Sequence, residues 1–264
     1  MSLIKDIQYG IYGYSKAITF IRKNKMKRYF LVPIIMNILM LVFGISMTNE
    51  LTESTLNSFQ SWADPESWDF WGAAFLADTI GVFIWLILKI FFFLLFAFIG
   101  GYIVLILLSP LLAYLSERTE QILNETEFPF SWIQLFKDMV RGMIIAVRNF
   151  FIEIVAIILL FFLSFIPLVG LLSAPLLFIV SAYFYGFSFL DYTAERRRLK
   201  LKDSIFFINR NKGLAIANGS LFAGALLIPI IGLSISGFMA IISTVAATIS
   251  ILEKERNERT IKPY

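Results

Sequence analysis

The sequence predicts an all-α membrane protein: long transmembrane helices plus two hairpins, each broken by a proline and a glycine. Three observations predict it. Of 264 residues, 58% are hydrophobic and 16% charged, against roughly 45–50% and 25% in soluble domains. The apolar residues gather into charge-poor blocks that reach the about 20 residues a helix needs to cross a bilayer. One phrase also occurs twice, as Ile166-Pro167-Leu168-Val169-Gly170-Leu171 and Ile228-Pro229-Ile230-Ile231-Gly232-Leu233. Each copy lies near the middle of a block too long for one span and short for two. Pro167 with Gly170, and Pro229 with Gly232, are therefore the candidate hairpin turns, predicted to be half-penetrating or to join short crossings. Broken, duplicated membrane segments usually line places where solutes bind or pass, so the pattern points to a transporter or channel.

A single integral membrane domain, residues 1–264, accounts for the length, and its segments follow in order. Residues 1–28 form an amphipathic helix and a basic run. Leu3, Ile4, Ile7, Ile11, Tyr14, Ile18 and Ile21 share one helical face,. Such a helix either lies on the membrane surface or packs on the protein's own cytoplasmic part. No signal-peptide pattern is expected here. Arg22, Lys23, Lys25, Lys27 and Arg28 follow, then residues 29–47 carry no charge and predict a transmembrane helix. Pro33 falls in its first turns, where a missing N–H costs least.

Residues 48–78 hold Glu50, Glu53, Asp64, Glu66, Asp69 and Asp78 without a basic residue, beside Trp62, Trp68 and Trp71. They read as an acidic extracytoplasmic loop with a short helix and a tryptophan belt. Residues 79–123 predict a long transmembrane helix interrupted by Lys89. That lysine either marks an ion pathway or snorkels to headgroups beside Trp85. Residues 124–153 read as a cytoplasmic turn and helix start, 154–190 as the first broken hairpin and 191–213 as a basic cytoplasmic segment. Residues 214–252 are the second broken hairpin, and 253–264 a charged tail.

The positive-inside rule places the N-terminus, residues 111–153, residues 191–213 and the C-terminus in the cytoplasm. Every Lys and Arg except Lys89 then falls on one face. This requires each broken block to leave and return on the same side. Arms of about 13 to 20 residues leave two re-entrant hairpins or four short crossings open. The chain has no Cys and no His. Disulfides, thiolate or imidazole metal sites, Cys nucleophiles and Ser–His catalysis are thereby excluded. No Asp lies inside the apolar blocks, and no phosphate-binding Gly-x4-Gly-Lys-Ser/Thr run occurs,. The expectation is a protein that is no enzyme, holds no cofactor or metal, and binds no nucleic acid.

Certain residues also carry a resemblance. Lys27-Arg28-Tyr29-Phe30-Leu31-Val32-Pro33 with Asn37 is similar to the signature of CysZ-type sulfate permeases, the bacterial branch of the etoposide-induced protein family. Further matches follow in the same order along nearly the whole chain. They are Ser109-Pro110-Leu111-Leu112 leading to Leu115, Glu117 and Glu120; Lys137-Asp138 with Arg141; Ile166-Pro167 with Gly170; Asp191-Tyr192; and Ile228-Pro229. The resemblance implies an all-helical fold with two half-penetrating hairpins, a homo-oligomer in the bacterial inner membrane, and sulfate uptake feeding cysteine synthesis. It also implies a sulfate site at Lys27 and Arg28. The sequence departs from the family's glycine–arginine–arginine pattern, because Lys25 stands where glycine is expected and Lys27 replaces one arginine.

Physical chemistry supports an anion at that place without the family. A helix N-terminus offers free N–H groups and about half a positive charge. Arg28 grips two oxygens in a planar fork, whereas Lys27 acts as a point charge. The plainer reading is a topology and lipid-headgroup anchor. Glu117, Glu120, Arg141 and Asn37 form a candidate pore polar network, or else a solvated face with local ion pairs. The function expected is a permease or channel for a small oxyanion, sulfate. The alternative is a non-transporting membrane scaffold or assembly factor of the same fold.

Overall fold

The computed structural model describes residues 3–64, 67, 69, 72–125, 132–166, 169–197, 199–228 and 231–261. Among these residues the chain is helical throughout and contains no strand. The elements are α1 (Leu3–Lys23), a 3-10 turn (Met26–Phe30), α2 (Leu31–Ala63), α3 (Ala73–Asn124), α4 (Trp132–Leu163), α5 (Val169–Arg196), α6 (Leu201–Arg210), α7 (Lys212–Leu226) and α8 (Ile231–Ile261). Within them, five helices are long and apolar enough to cross a membrane: α2 with its preceding turn, α3, α4, α5 and α8. The protein is an all-α integral membrane protein.

Helix α2 runs unbroken past residue 47 into the acidic segment and stops at Ala63, where Asp64 turns left-handed at φ 43°. Its acidic residues Glu50 and Glu53 face outward. Thr48 and Thr52 turn inward, and the Thr52 hydroxyl bonds the Thr48 carbonyl at 2.7 Å. A helix with that division of faces has no reason to end at the last apolar residue. The chain reverses through Gly72, whose φ of 88° suits a residue without a Cβ,. Helix α3 then packs antiparallel on α2, with the Phe96 ring seated on Gly44. At 52 residues α3 is about 78 Å long,, far beyond a hydrocarbon core of about 30 Å. Pro110 lies inside it without ending it. Proline leaves the Ile106 carbonyl without its helical donor, and the Ser109 hydroxyl supplies one at 2.8 Å,. Lys89 lies over the Trp85 ring, 4.4 Å from its centroid.

The two repeated phrases fall at the junctions of α4 with α5 and of α7 with α8. Pro167 and Pro229 lie outside the described residues, but their glycines show why the phrase recurs. Gly170 N–H donates to the Ile166 carbonyl at 3.0 Å, and Gly232 N–H to the Ile228 carbonyl at 2.8 Å. A Cβ on Gly170 would meet the Ser164 carbonyl oxygen at 2.4 Å; one on Gly232 would meet that of Ala225 at the same distance. In both hairpins the returning helix starts against the last carbonyls of the arriving one, and glycine alone fits without a shift of the backbone.

The hairpins join through α5 and α7, which pack more extensively than any other pair. They cross antiparallel on matching small residues, Ala182 with Gly186 and Ala215 with Gly219. A Cβ on Gly186 would sit 1.8 Å from the Ala215 carbonyl oxygen, and one on Gly219 1.8 Å from that of Ala182. This is small-xxx-small packing, in which close backbones supply the van der Waals contact that lipid cannot drive. Helix α8 is the centre of the fold, touching α1, α2, α3, α5 and α7.

Helix α1 packs one face on the helices behind it and exposes the other. Its buried face is Asp6, Gly10, Gly13, Ala17 and Ile21, packed on α7 and α8. Leu3, Ile4, Ile11 and Ile18, from the stripe the periodicity picked out, are exposed. Small residues allow the close approach, while Ile21 of the predicted stripe is buried with them and Ile7 and Tyr14 are partly covered. Burial holds the Tyr14 phenol well above its ordinary range, so it stays a neutral donor. Its hydroxyl donates to the Asn218 carbonyl and lies 2.7 Å from the Ser243 hydroxyl. At the end of this seam Lys254 Nζ, almost fully buried, lies 2.6 Å from Asp6 Oδ1 and 2.5 Å from Asn211 Oδ1. That pair ties α1 and the start of α7 to α8.

Candidate anion site and the polar seams beside it

The basic run ends in the 3-10 turn that opens α2. Lys25 precedes it in the left-handed region, φ 57° and ψ 26°. This is the conformation a glycine takes without steric cost. No side chain caps the turn. Met26 is buried and anchors it, while Lys27 and Arg28 point outward and are exposed. Among the described residues no carboxylate pairs with either cation.

Arg28 is nonetheless oriented. Its Nη2 donates to the Tyr29 hydroxyl at 2.8 Å, and the guanidinium stacks over the Tyr29 ring, 4.9 Å from the centroid. The Tyr29 hydroxyl donates in turn to the Tyr114 hydroxyl on α3 at 3.2 Å. The guanidinium is thus tied to α3 through two phenols. Sequence reasoning named the cations but missed the tyrosines. The only available signal was Tyr29 next to Arg28, because Tyr114 lies 85 residues away.

The other predicted residues sort into different places. Arg141 on α4 forms a two-pronged ion pair with Asp191 on α5, Nε to Oδ2 and Nη2 to Oδ1, each at 3.1 Å. It also bonds the Leu199 carbonyl at 2.5 Å and lies 3.8 Å from Glu195. The Ser204 hydroxyl donates to Asp191 from α6. Arg141 therefore clamps α4, α5 and α6 together. Glu117 accepts a bond from Gln121 at 3.3 Å, one turn along α3. Glu120 lies half-buried on the same stretch of α3. Asn37 is a backbone member of α2, and its side chain lies outside the described residues.

One polar group escaped the sequence reading. Glu153 sits at the edge of an apolar block yet is fully buried on α4. It accepts hydrogen bonds from Tyr102 on α3 and Ser181 on α5. One turn earlier, Asn149 bonds the Phe184 carbonyl and the Ser188 hydroxyl, both at 3.3 Å.

Fold and sequence together define a polytopic, all-helical membrane protein with a basic pair, Lys27 and Arg28, at the start of its first long apolar helix. A family model described as Sulfate transporter CysZ/Etoposide-induced protein 2.4 matches residues 14–235, and the chain belongs to that family. It is 26% identical over 224 residues to the sulfate transporter CysZ of Pseudomonas paraeruginosa strain PA7, covering 83% of this chain and 85% of that one. It is 28% identical over 130 residues to the protein of the same name in Pseudomonas fluorescens strain Pf-5, covering 48% and 52%. In that second match the chain spans about half the length of its relative.

Proposed function

We propose that the protein is a membrane permease for a small inorganic oxyanion, sulfate, and that Lys27 and Arg28 bind the anion at the entrance. The observation that carries this reading is the exposed Arg28 guanidinium, held in place by phenols and paired with no carboxylate among the described residues. Family membership and the printed names of the relatives support it. A tetrahedral dianion takes two oxygens into the planar Arg28 fork, while Lys27 adds charge without direction. The N–H groups that open the 3-10 turn have no side-chain cap, and such groups favour an anion. Anchoring Arg28 beforehand lowers the ordering cost of binding. The role is transport without chemistry, in a homo-oligomer, with both termini cytoplasmic under the positive-inside rule.

The test is labelled-sulfate flux into proteoliposomes, with Arg28→Ala and a chloride competition series. Saturable flux selective over chloride is expected. Arg28→Ala is expected to reduce apparent affinity at least tenfold, about the 1.4 kcal/mol of one charge-assisted bond. Flux equal to empty liposomes from folded, inserted protein would overturn the permease reading in favour of a scaffold. Normal flux in Arg28→Ala would overturn the site alone.

A further inference from the structure

We propose that the outer face of α6 is a docking surface for the headgroups of anionic lipids, with Phe206 inserted among the acyl chains below them. Helix α6 links the two hairpins, following α5 and leading into α7. Its inner face holds it to the protein. Ser204 and Ile208 are fully buried, and the Ser204 hydroxyl donates to Asp191 on α5. On the opposite face Lys202, Phe206 and Arg210 recur every fourth residue and so lie in one row. All three are exposed, Phe206 to 71%.

The depth of the helix follows from what it touches. The apolar window of α5 runs Gly170–Glu195. Helix α6 meets that window at Asp191, and again in its last turn, where Asn209 accepts a hydrogen bond from the Tyr183 hydroxyl. It therefore folds back along the final turns of a spanning helix instead of leading away into water. A phenylalanine presented there meets the boundary between acyl chains and headgroups, as the bulky residues of interfacial helices do. The long cationic side chains on either side of it reach phosphate while their stems stay in the apolar layer.

Charge selects the kind of lipid. Lys200, Lys202, Arg210 and Lys212 are exposed on α6 and its two flanks, and Asp203 is the one carboxylate between them. Among the described residues none of these four cations is in an ion pair. Each cation near an anionic membrane surface strengthens association about fivefold, about 1 kcal/mol. A second copy of the chain fits this face poorly, because a two-fold contact would set the same cations against each other.

The chain has no cysteine, so Phe206→Cys in the full-length protein carries a single nitroxide label. Its surroundings are read in vesicles of phosphatidylcholine with phosphatidylglycerol. Collision with oxygen, which concentrates among acyl chains, is expected to exceed collision with a water-soluble nickel chelate several-fold. The reverse ratio places the label in water and overturns the docking. A label screened from both reagents has protein against it and overturns lipid as the occupant.

A second measurement leaves Phe206 in place. Thermal unfolding of the detergent-solubilised protein should shift upward by several degrees on adding phosphatidylglycerol and far less with phosphatidylcholine, because lipid bound to the folded chain stabilises it. Lys202→Gln with Arg210→Gln, both at exposed positions, should remove most of that difference. Equal shifts from the two lipids, or a phosphatidylglycerol shift undiminished in the double variant, overturn the headgroup site. Inorganic sulfate at matched charge should give no shift that depends on these two residues. A sulfate shift that disappears in the double variant makes the face a site for free anions and overturns the lipid assignment. None of these outcomes depends on the permease reading.

Discussion

The two hairpins open with the same phrase and have different fates. In the α7–α8 hairpin, 78% of the spanning window of α8 is buried, whereas the windows of α4 and α5 are 22% and 28% buried. The residues explain the contrast. Helix α8 buries Ser236, Ala240, Ser243, Thr244, Ala246, Ala247, Thr248 and Ser250, which are small enough for neighbours on several sides. Its hydroxyls return to carbonyls of their own helix, as Thr244 to Ala240 at 2.8 Å and Ser250 to Ala246 at 2.7 Å,. The far half of α4 is instead Ile, Leu and Phe, with Val155, Ile158, Leu159, Phe161 and Phe162 exposed. A helix greasy all round belongs in lipid, and a helix small all round belongs among other helices. Length differs as well. Helix α7 has 15 residues, about 22 Å,, short of a full crossing, while α4 and α5 are each long enough to cross. The turn phrase thus fixes a hairpin and nothing about its depth or its surroundings.

The contrast depends on the crossing that joins the hairpins, so the largest effect is expected there. Gly219→Val places a branched side chain where even a Cβ would lie 1.8 Å from the Ala182 carbonyl oxygen. The clash is with backbone, which cannot rotate away. The expected cost is about 3 kcal/mol or more, seen as loss of the monodisperse peak in detergent chromatography. Gly224→Val, two turns off the crossing where only the Phe178 ring comes within 4.0 Å, is the control. Equal damage from both would mean that α7 is intolerant as a whole and that the hairpins are not locked at this point.

Much of this was legible beforehand, for reasons that the residues make plain. Apolar blocks predict spans because a bilayer demands internally bonded helices of a set length. The Pro–Gly phrase predicted both turns because a backbone clash is a local matter. What depended on distant partners was hidden. The α1 stripe was visible in periodicity, yet Gly10 and Gly13 carry the packing because α7 and α8 approach there, with Ala217 Cβ 2.4 Å from a Cβ on Gly10 and Ser250 Oγ 2.0 Å from one on Gly13. Arg141 was visible as a charge, but Asp191 lies 50 residues on. Lys27 and Arg28 were visible as a basic run; the phenols that orient Arg28 depend on α3 returning beside α2. Glu153 read as the boundary of a block because one-dimensional hydropathy cannot tell a helix's buried face from its lipid face.

The glycines of the two turns test the same contrast more finely. In both hairpins a Cβ would come 2.4 Å from a carbonyl oxygen of the arriving helix. Gly232 is buried at the head of α8, and the Leu226 carbonyl oxygen stands at 3.0 Å as well. Gly170 is only partly covered, beside the exposed Phe165, Ile166 and Leu171. A free tip can open to admit a methyl group; a tip built into the core cannot. Thermal unfolding in detergent should show Gly232→Ala costing about 2–3 kcal/mol and Gly170→Ala about 1 kcal/mol. A reversed order would place the first hairpin's turn under tighter constraint than its exposure implies.

The smallest effect, and the most informative, comes from one substitution made on each side. Phe222 on α7 is fully buried, its ring 4.9 Å from Tyr185 and 5.5 Å from Phe189. Phe222→Leu leaves a void and removes two edge-on ring contacts, so a loss of about 1–2 kcal/mol is expected. Phe162 on α4 is 64% exposed, and Phe162→Leu replaces one apolar surface by another against lipid tails. Its expected effect is within about 0.5 kcal/mol. Measured in detergent and again in lipid nanodiscs, the pair separates lipid contact from protein contact. If Phe162→Leu destabilises as much as Phe222→Leu in nanodiscs, the outer face of the first hairpin is covered by protein in the membrane. The difference between the hairpins would then be one of partners, with both buried, rather than one of core against lipid.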